Sequence, residues 1–325
     1  MRVLVTGATG FTGGHLARHL ARAGDTVRVL ARDPARAADL AAEGIEVVQG
    51  DLTDRASLAH AVEGCEVVYN IAALYREAGL PAEAYQAVNA DAVVSLIDIA
   101  AESGVRRVVH CSTVGVHGDI DGPPATEDAP LAPGDIYQET KVMGERMGHH
   151  AAARTGVELV IVRPTGIYGP GDRRLFKLFG QIARGRFVML GSGRNFYHLT
   201  YIDDLCAGFR LAGTVAAASG RTYILGGGDL GTLADIVRIT SDLTGRRPRL
   251  RLPIWPVWLA GAVCEIVCAP FGISPPLYRR RVDFFRKSRA FDITRAKTEL
   301  GFAPAVDMRE GIRRTLEWYR DHRWI

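Results

Sequence analysis

The stretch Val3-Leu4-Val5-Thr6-Gly7-Ala8-Thr9-Gly10-Phe11-Thr12-Gly13-Gly14 carries an apolar run into a glycine-rich bend and then into a helical pattern. Glycines at 7, 10 and 13 permit a tight turn, close approach of a pyrophosphate, and close packing of helix on strand. The helix that follows shows Leu16, Leu20 and Ala23 on one face and meets Gly24 as its stop. Its free N–H groups and the positive end of its dipole would face the phosphates. A glycine triplet alone says little. Standing at the first strand-to-helix turn of the chain, it points to a dinucleotide site.

Outward from that turn, β-rich runs alternate with amphipathic helices, and Val3–Val5, Val27–Ala31, Glu46–Gln49, Val67–Asn70, Arg107–Cys111 and Glu158–Val162 read as successive strands. The expectation is an α/β fold with a doubly wound parallel sheet of Rossmann type. After Pro164 the rhythm breaks at Gly166 to Gly171 and Gly226 to Gly228. The expected division is a dinucleotide-binding domain over 1–165 and a smaller, mixed substrate lobe from 166–199 and 227–325. Residues 200–226 return to the first domain, with Asp203 and Asp204 at a helix start and Thr222 to Leu225 as another strand.

The 325 residues are 47% hydrophobic and 23% charged, the composition of an ordinary globular protein. A formal charge of +4, with no recognisable nucleic-acid module, argues against RNA or DNA as a partner. Five scattered cysteines argue against a disulfide framework and for a reducing compartment. Cys264 and Cys268 would share a helix face, with no further ligands to make a metal site, and read as core packing. The first apolar run leads straight into the glycine turn rather than into a signal peptide. No run reaches the roughly 18 consecutive apolar residues of a membrane span. The expected location is the cytoplasm.

Further along, Tyr137-Gln138-Glu139-Thr140-Lys141 places Tyr and Lys one helical turn apart on one face. Proton removal from an alcohol near neutral pH needs a base, whereas free tyrosine has a pKa of about 10. A neighbouring ammonium would stabilise the phenolate and bring that value down. Upstream, the fifth strand ends in hydroxyl residues, His110-Cys111-Ser112-Thr113-Val114-Gly115-Val116-His117-Gly118.

Thr followed by Gly-x-x-Gly-x-x-Gly, the hydroxyl-ended strand and Tyr-x-x-x-Lys together resemble the extended branch of the short-chain dehydrogenase/reductase family, across essentially the whole chain. The resemblance implies a nicotinamide cofactor along Gly7, Gly10, Phe11, Thr12, Gly13, Asp51, Leu52, Ala72, Ala73 and Pro164, with Tyr137 and Lys141 at its nicotinamide end. It makes Tyr137 the proton-transfer residue, Thr113 the catalytic hydroxyl with Ser112 in support, and Lys141 the residue that orients the ribose. It also likens Asn89 to the family asparagine of the proton path, the alternative being a local hydrogen bond. Where NAD-preferring relatives carry an acid after the second strand, this chain has Ala31-Arg32. Arg32 can pair with the 2′-phosphate of NADP, while Asp33, one residue late, keeps NAD open.

Two positions narrow the substrate. Nucleotide-sugar epimerases of the family grip a diphosphate with an Asn and an Arg where this chain has Gly166 and Tyr197, although Arg173, Arg174, Lys177 or Arg194 can bring charge by another route. Val114-Gly115 replaces the Asp-Glu of dehydratases. Arg163-Pro164 through Gly169-Pro170 looks like the 3β-hydroxysteroid dehydrogenase and dihydroflavonol reductase relatives. A hydride transfer at a secondary alcohol or ketone on an apolar ring system is therefore expected, in a pocket lined mainly by apolar and aromatic side chains of the second lobe. Epimerisation of a nucleotide sugar is the alternative. The apolar run Leu252 to Ile273, flanked by Arg246, Arg247, Arg249, Arg251 and Arg279 to Arg281, can pack between lobes, take up a lipidic substrate or rest on anionic membrane lipid. Exposed first-lobe helices can form a homodimer.

Overall fold

The structure is a computed structural model that describes residues 1–77, 79–120, 122–248, 250–268, 270 and 282–325. Its strands are β1 (Arg2–Thr6), β2 (Thr26–Ala31), β3 (Glu46–Gln49), β4 (Val67–Asn70), β5 (Arg107–Cys111), β6 (Glu158–Pro164), β7 (Gly166–Tyr168), β8 (Val188–Leu190), β9 (Leu199–Tyr201), β10 (Thr222–Leu225) and β11 (Leu250–Leu252). Seven of them form one parallel sheet in the order β10-β6-β5-β4-β1-β2-β3. Register is set in the middle, where Val3 of β1 lies opposite Val27 on one side and Val67 on the other.

The sheet is buried on both faces, so its strands read as nearly unbroken Val, Ile and Leu. Alternate residues separate cleanly into two cores: Val3, Val5, Val29, Val109 and Val160 in one, Leu4, Val68, Val108, Leu159 and Ile161 in the other. Helices α1 (Phe11–Arg22), α2 (Ala38–Ala42), α3 (Arg55–Val62), α4 (Ala82–Gln86), α5 (Ala92–Glu102) and α6 (Ile136–Thr155) arise from the first half of the chain. At Ala87–Asp91 the chain widens into a π turn between α4 and α5. There the carbonyl of Asn89 approaches Gly144 of α6 so closely that a Cβ on Gly144 would lie 2.2 Å from it.

After β6 the chain builds α7 (Phe176–Ala183), α8 (Ile202–Thr214), α9 (Leu233–Thr244), α10 (Ile254–Cys268) and two more helices, Thr294–Leu300 and Met308–Asp321. Two small parallel pairs, β7 with β9 and β8 with β11, accompany them. Asp203 and Asp204 stand in the first turn of α8, as expected, but neither caps it. Asp204 turns instead to the backbone N–H groups of Ala305 and Val306, at 2.9 and 3.1 Å.

α10 departs from the expectation of a packed core helix. Among its described residues only Gly261 is buried, while Trp255, Leu259, Val263, Ile266 and Val267 are each more than half exposed, and Cys264 and Cys268 are only partly covered. A run this apolar, broken only by Glu265, reads as core from its composition, but the described residues leave most of its large side chains half exposed or more. Arg249, Arg279, Arg280, Arg281 and the end of the expected apolar segment lie outside the described residues. Among the described residues no helix is long and apolar enough to cross a membrane.

Candidate active site

A cleft of about 1330 Å³ runs along the carboxyl ends of the strands. That is more than a single drug-sized ligand requires and is sufficient for a dinucleotide with a substrate beside it. The turn after β1 forms its floor. Gly7 has φ +69°, and a side chain there would collide with the backbone of Ala72; one at Gly13 would meet the Gly7 carbonyl. Glycine at both places lets β1, β4 and α1 close on one another. Gly10 is the N-cap of α1 with no side chain to satisfy the first turn, and no acidic residue stands in that turn. The first N–H groups are thus left to an anion in the cleft.

Gly7, Gly10, Phe11, Thr12, Gly13, Arg32, Asp51, Leu52, Ala72, Ala73, Thr113, Tyr137 and Pro164 all line this one cleft. Lys141 does not. At the far end Arg32 is joined by Arg36, which sequence reasoning missed because it belongs to a short 3₁₀ turn after the strand. Asp33 is committed elsewhere: it caps that turn, accepting from the Ala35 N–H at 3.1 Å. Asp51 accepts from both the N–H and the hydroxyl of Thr53, and the cap of α3 is Asp54.

At the other end the two hydroxyls after β5 have different occupations. Ser112 is buried and donates to Glu145, which Arg163 grips with two nitrogens. The Thr113 oxygen accepts from the Gly115 N–H at 3.0 Å, leaving its hydrogen for the cleft. Tyr137 sits on the first turn of α6, whose cap Asp135 accepts from Gln138. Burial raises the Tyr137 pKa, with Cys111 and Tyr75 adding to the rise; Arg174 and Arg76 oppose it. Lys141 was expected to do so, but its amino group is fully buried behind the cleft wall and lies 3.2 Å from His110 Nε2. Burial lowers the lysine pKa. His117 is structural, bonded to the Ala129 carbonyl and to Arg163.

The substrate side is both aromatic and cationic. Tyr75 meets Tyr137 edge to face at 4.9 Å, and Tyr197 meets Phe284 at 5.2 Å. Phe291, Leu74, Ile167 and Leu175 extend that wall, and Arg76, Arg174, Lys287 and Arg289 interrupt it. The expectation of a wall drawn mainly from apolar and aromatic residues of the second lobe needs correcting on two counts. The loop after β4 supplies Leu74, Tyr75 and Arg76, and four cations reach the cleft from loops whose positions no periodicity reveals. Asn89 is buried and does not line the cleft; it bonds both the N–H and the carbonyl of Leu74 and also the Thr140 hydroxyl. It anchors the loop that carries Tyr75. Arg76 itself adopts φ +46°, unusual for a residue with a side chain, and is tied to Asp135. Among the described residues no cluster of His, Cys, Asp or Glu could hold a metal ion.

Comparison with known proteins places the chain among dehydrogenases, epimerases and dehydratases by similarity. The Arabidopsis thaliana protein described as 3beta-hydroxysteroid-dehydrogenase/decarboxylase isoform 2 is 31% identical over 97% of this chain, and the chain spans 61% of that relative's length. A Mycobacterium tuberculosis protein described as 3 beta-hydroxysteroid dehydrogenase/Delta 5-->4-isomerase is 30% identical over 98% of this chain and 90% of its own. Among solved structures, DesIV, a dTDP-glucose 4,6-dehydratase from Streptomyces venezuelae with NAD and TYD bound, superimposes with a TM-score of 0.79 at 28% identity, covering 100% of this chain and 98% of its own. The family model described as NAD dependent epimerase/dehydratase family matches residues 3–226. With the phosphate turn, the hydroxyl-ended strand and the Tyr–Lys helix all at one cleft, the chain belongs to that family of enzymes, the extended branch of the short-chain dehydrogenases/reductases.

Proposed function

We propose that this enzyme transfers a hydride at a secondary alcohol or ketone of an apolar ring substrate, such as a hydroxysteroid or a dihydroflavonol. The observation that carries the reading is the pair of positions where diphosphate would be gripped. Gly166 offers no side chain to a diphosphate, and a Cβ there would lie 2.9 Å from the end of the Leu199 side chain and 3.1 Å from the His198 carbonyl, so a larger residue would have to displace Leu199. Tyr197 fills the neighbouring place with a ring rather than a guanidinium. A bound nicotinamide would accept or donate the hydride. In the oxidising direction Tyr137 acts as the phenolate and takes the hydroxyl proton to become the phenol, Thr113 donates its free hydrogen bond to the reacting oxygen, and Tyr75 shields the phenol ring from water.

The epimerase reading is favoured by one feature, the guanidiniums of Arg174 and Arg289 near Tyr197. A panel of substrates separates the two. A hydroxysteroid should raise the melting temperature and support NAD(P)H turnover, and millimolar UDP-sugars should do neither. Interconversion of 4-epimers of a UDP- or GDP-sugar would reverse the order of preference.

Within the same proposal, Arg32 and Arg36 favour NADP over NAD, since both reach the cleft while Asp33 does not. Residues 1–165 with 200–226 act as the cofactor lobe, and 166–199 with 227–325 as the substrate lobe. Two copies meet through exposed first-lobe helix faces such as that of Met143 on α6, which sedimentation can check. The enzyme works in the cytoplasm at an anionic membrane surface. α10 presents large apolar side chains all round, and the exposed Arg246, Arg247 and Arg251 precede or begin that segment, the pattern that suits acyl chains below anionic headgroups. Trp258 of α10 lies under Arg286, whose neighbours Phe284 and Lys287 line the cleft, so a lipidic substrate would have a short way in. The full chain should co-sediment with phosphatidylglycerol-containing vesicles and the variant Trp255→Asp/Ile266→Asp should not. Equal recovery of both would end the membrane reading.

A further inference from the structure

Behind the cleft, a chain of polar side chains from the carboxyl ends of β1, β4 and β5 runs to Lys141 of α6. Thr6 Oγ1 lies 2.8 Å from Asn70 Oδ1, Asn70 Nδ2 lies 3.1 Å from His110 Nδ1, and His110 Nε2 lies 3.2 Å from Lys141 Nζ. All four residues are essentially inaccessible to solvent.

The direction of this chain is fixed at its first member. The backbone N–H groups of Ile71 and Ala72 both donate to Thr6 Oγ1, each at 3.1 Å. A hydroxyl oxygen has two lone pairs and one hydrogen. With both lone pairs taken, Thr6 must donate, and the atom of Asn70 facing it must be the carbonyl oxygen. The Asn70 NH₂ then faces His110 Nδ1, which must accept. A neutral imidazole with an unprotonated Nδ1 carries its hydrogen on Nε2. That hydrogen points at Lys141.

We infer that His110 is a positioning residue that donates Nε2–H to Lys141 and thereby holds Lys141 in reserve as a neutral amine. An ammonium at Nζ would oppose donor to donor. Relieving that opposition requires the His110 tautomer to change and the Asn70 amide to turn, which brings a third hydrogen onto Thr6 Oγ1. The charged and titratable groups around the pair are few. Cys111 of β5 and Glu145 of α6 face Lys141, and Glu145 is already engaged by Arg163 of β6 and by Ser112. Lys141 is the titratable group that faces His110. Burial lowers the pKa of both His110 and Lys141, in the same sense as the hydrogen-bond count. The ammonium that would assist Tyr137 is therefore not a standing charge of this site: it forms when Lys141 leaves His110.

The inference rests on reading Tyr137 and Lys141 as the proton-transfer pair, but its test needs no turnover. Long-range ¹H–¹⁵N spectra of protein labelled in the histidine rings distinguish the two tautomers and the imidazolium. His110 is identified by the signal lost in His110→Gln or displaced in Lys141→Met. At neutral pH the expected state is a protonated Nε2 with an unprotonated Nδ1. A protonated Nδ1, alone or with Nε2, overturns the proposal. In Thr6→Val the constraint on direction is gone, and His110 should shift toward the Nδ1–H form; an unchanged tautomer there overturns the assigned cause. Loss of the Tyr137 reading by mutagenesis would leave both spectral outcomes standing, so the two failures are separable.

Discussion

Polar groups beneath the amino end of β5 and those lining the cleft at its carboxyl end are treated in opposite ways. At the amino end of β5, Arg107 is completely buried and fully employed: it bonds Glu158 at 2.6 Å and the carbonyls of Ala212 and Val215 at 3.0 and 2.7 Å. It thereby closes the last turn of α8, where helix carbonyls lack partners of their own. At the carboxyl end, Thr113 keeps a hydrogen free, Arg32 meets no carboxylate among the described residues, and the first turn of α1 has no side-chain cap. Around Arg107 satisfied groups secure the fold, and along the cleft groups left without a protein partner face the space a ligand would fill. Open parallel sheets bind at their carboxyl ends for this reason.

The contrast can be broken from either side. Arg107→Leu should cost most, about 3 kcal/mol of unfolding free energy, because two buried carbonyls lose their donor and a charge pair goes with them. Chemical denaturation would show it, with turnover per folded molecule unchanged; a stability like the parent's would mean the amino end is not what secures α8. Tyr137→Phe should leave unfolding nearly unaltered and lower turnover at least ~100-fold, or about 2.7 kcal/mol of barrier, since a general acid/base is lost. Turnover within a few-fold of the parent would remove Tyr137 from the chemistry. Arg32→Ala is the mildest. It should weaken NADPH by roughly 1.5–3 kcal/mol, the contribution of hydrogen bonds to a charged phosphate, and NADH hardly at all. Equal titration curves for the two cofactors would return Arg32 to a solvated loop.

Much of the fold was legible in the sequence because burial on both faces forces continuous β-branched runs. All seven strands of the sheet, Thr222–Leu225 included, fall within two residues of where the pattern put them. The glycine turn was legible for a similar reason, since only glycine fits at 7 and 13. What escaped was decided by contacts between distant segments. The Tyr-x-x-x-Lys spacing places two side chains on one face but does not say that Lys141 will turn to His110, 31 residues away in sequence. Arg36, Arg76 and Arg289 come from turns and loops, where no period marks a direction, and of the four cations named beforehand for the substrate side only Arg174 lines the cleft. Asn89 was assigned to the proton path by likeness, and its bonds to Leu74 depend on a π turn that composition does not announce. The apolar run of α10 stayed open between lobe packing, lipid uptake and membrane contact because hydropathy cannot tell a covered surface from an uncovered one.

The meeting of Gly144 with the Asn89 carbonyl has a consequence for how this sequence can drift. Gly144 lies seven residues past Tyr137 and outside the cleft lining, yet the smallest possible addition there would push α6 away from the π turn. Since α6 carries Tyr137 and Lys141 while the turn anchors the loop of Tyr75, one methyl group would separate the two walls of the site without touching either. Variation that a census of cleft residues would pass as neutral is, at this position, closed to inheritance.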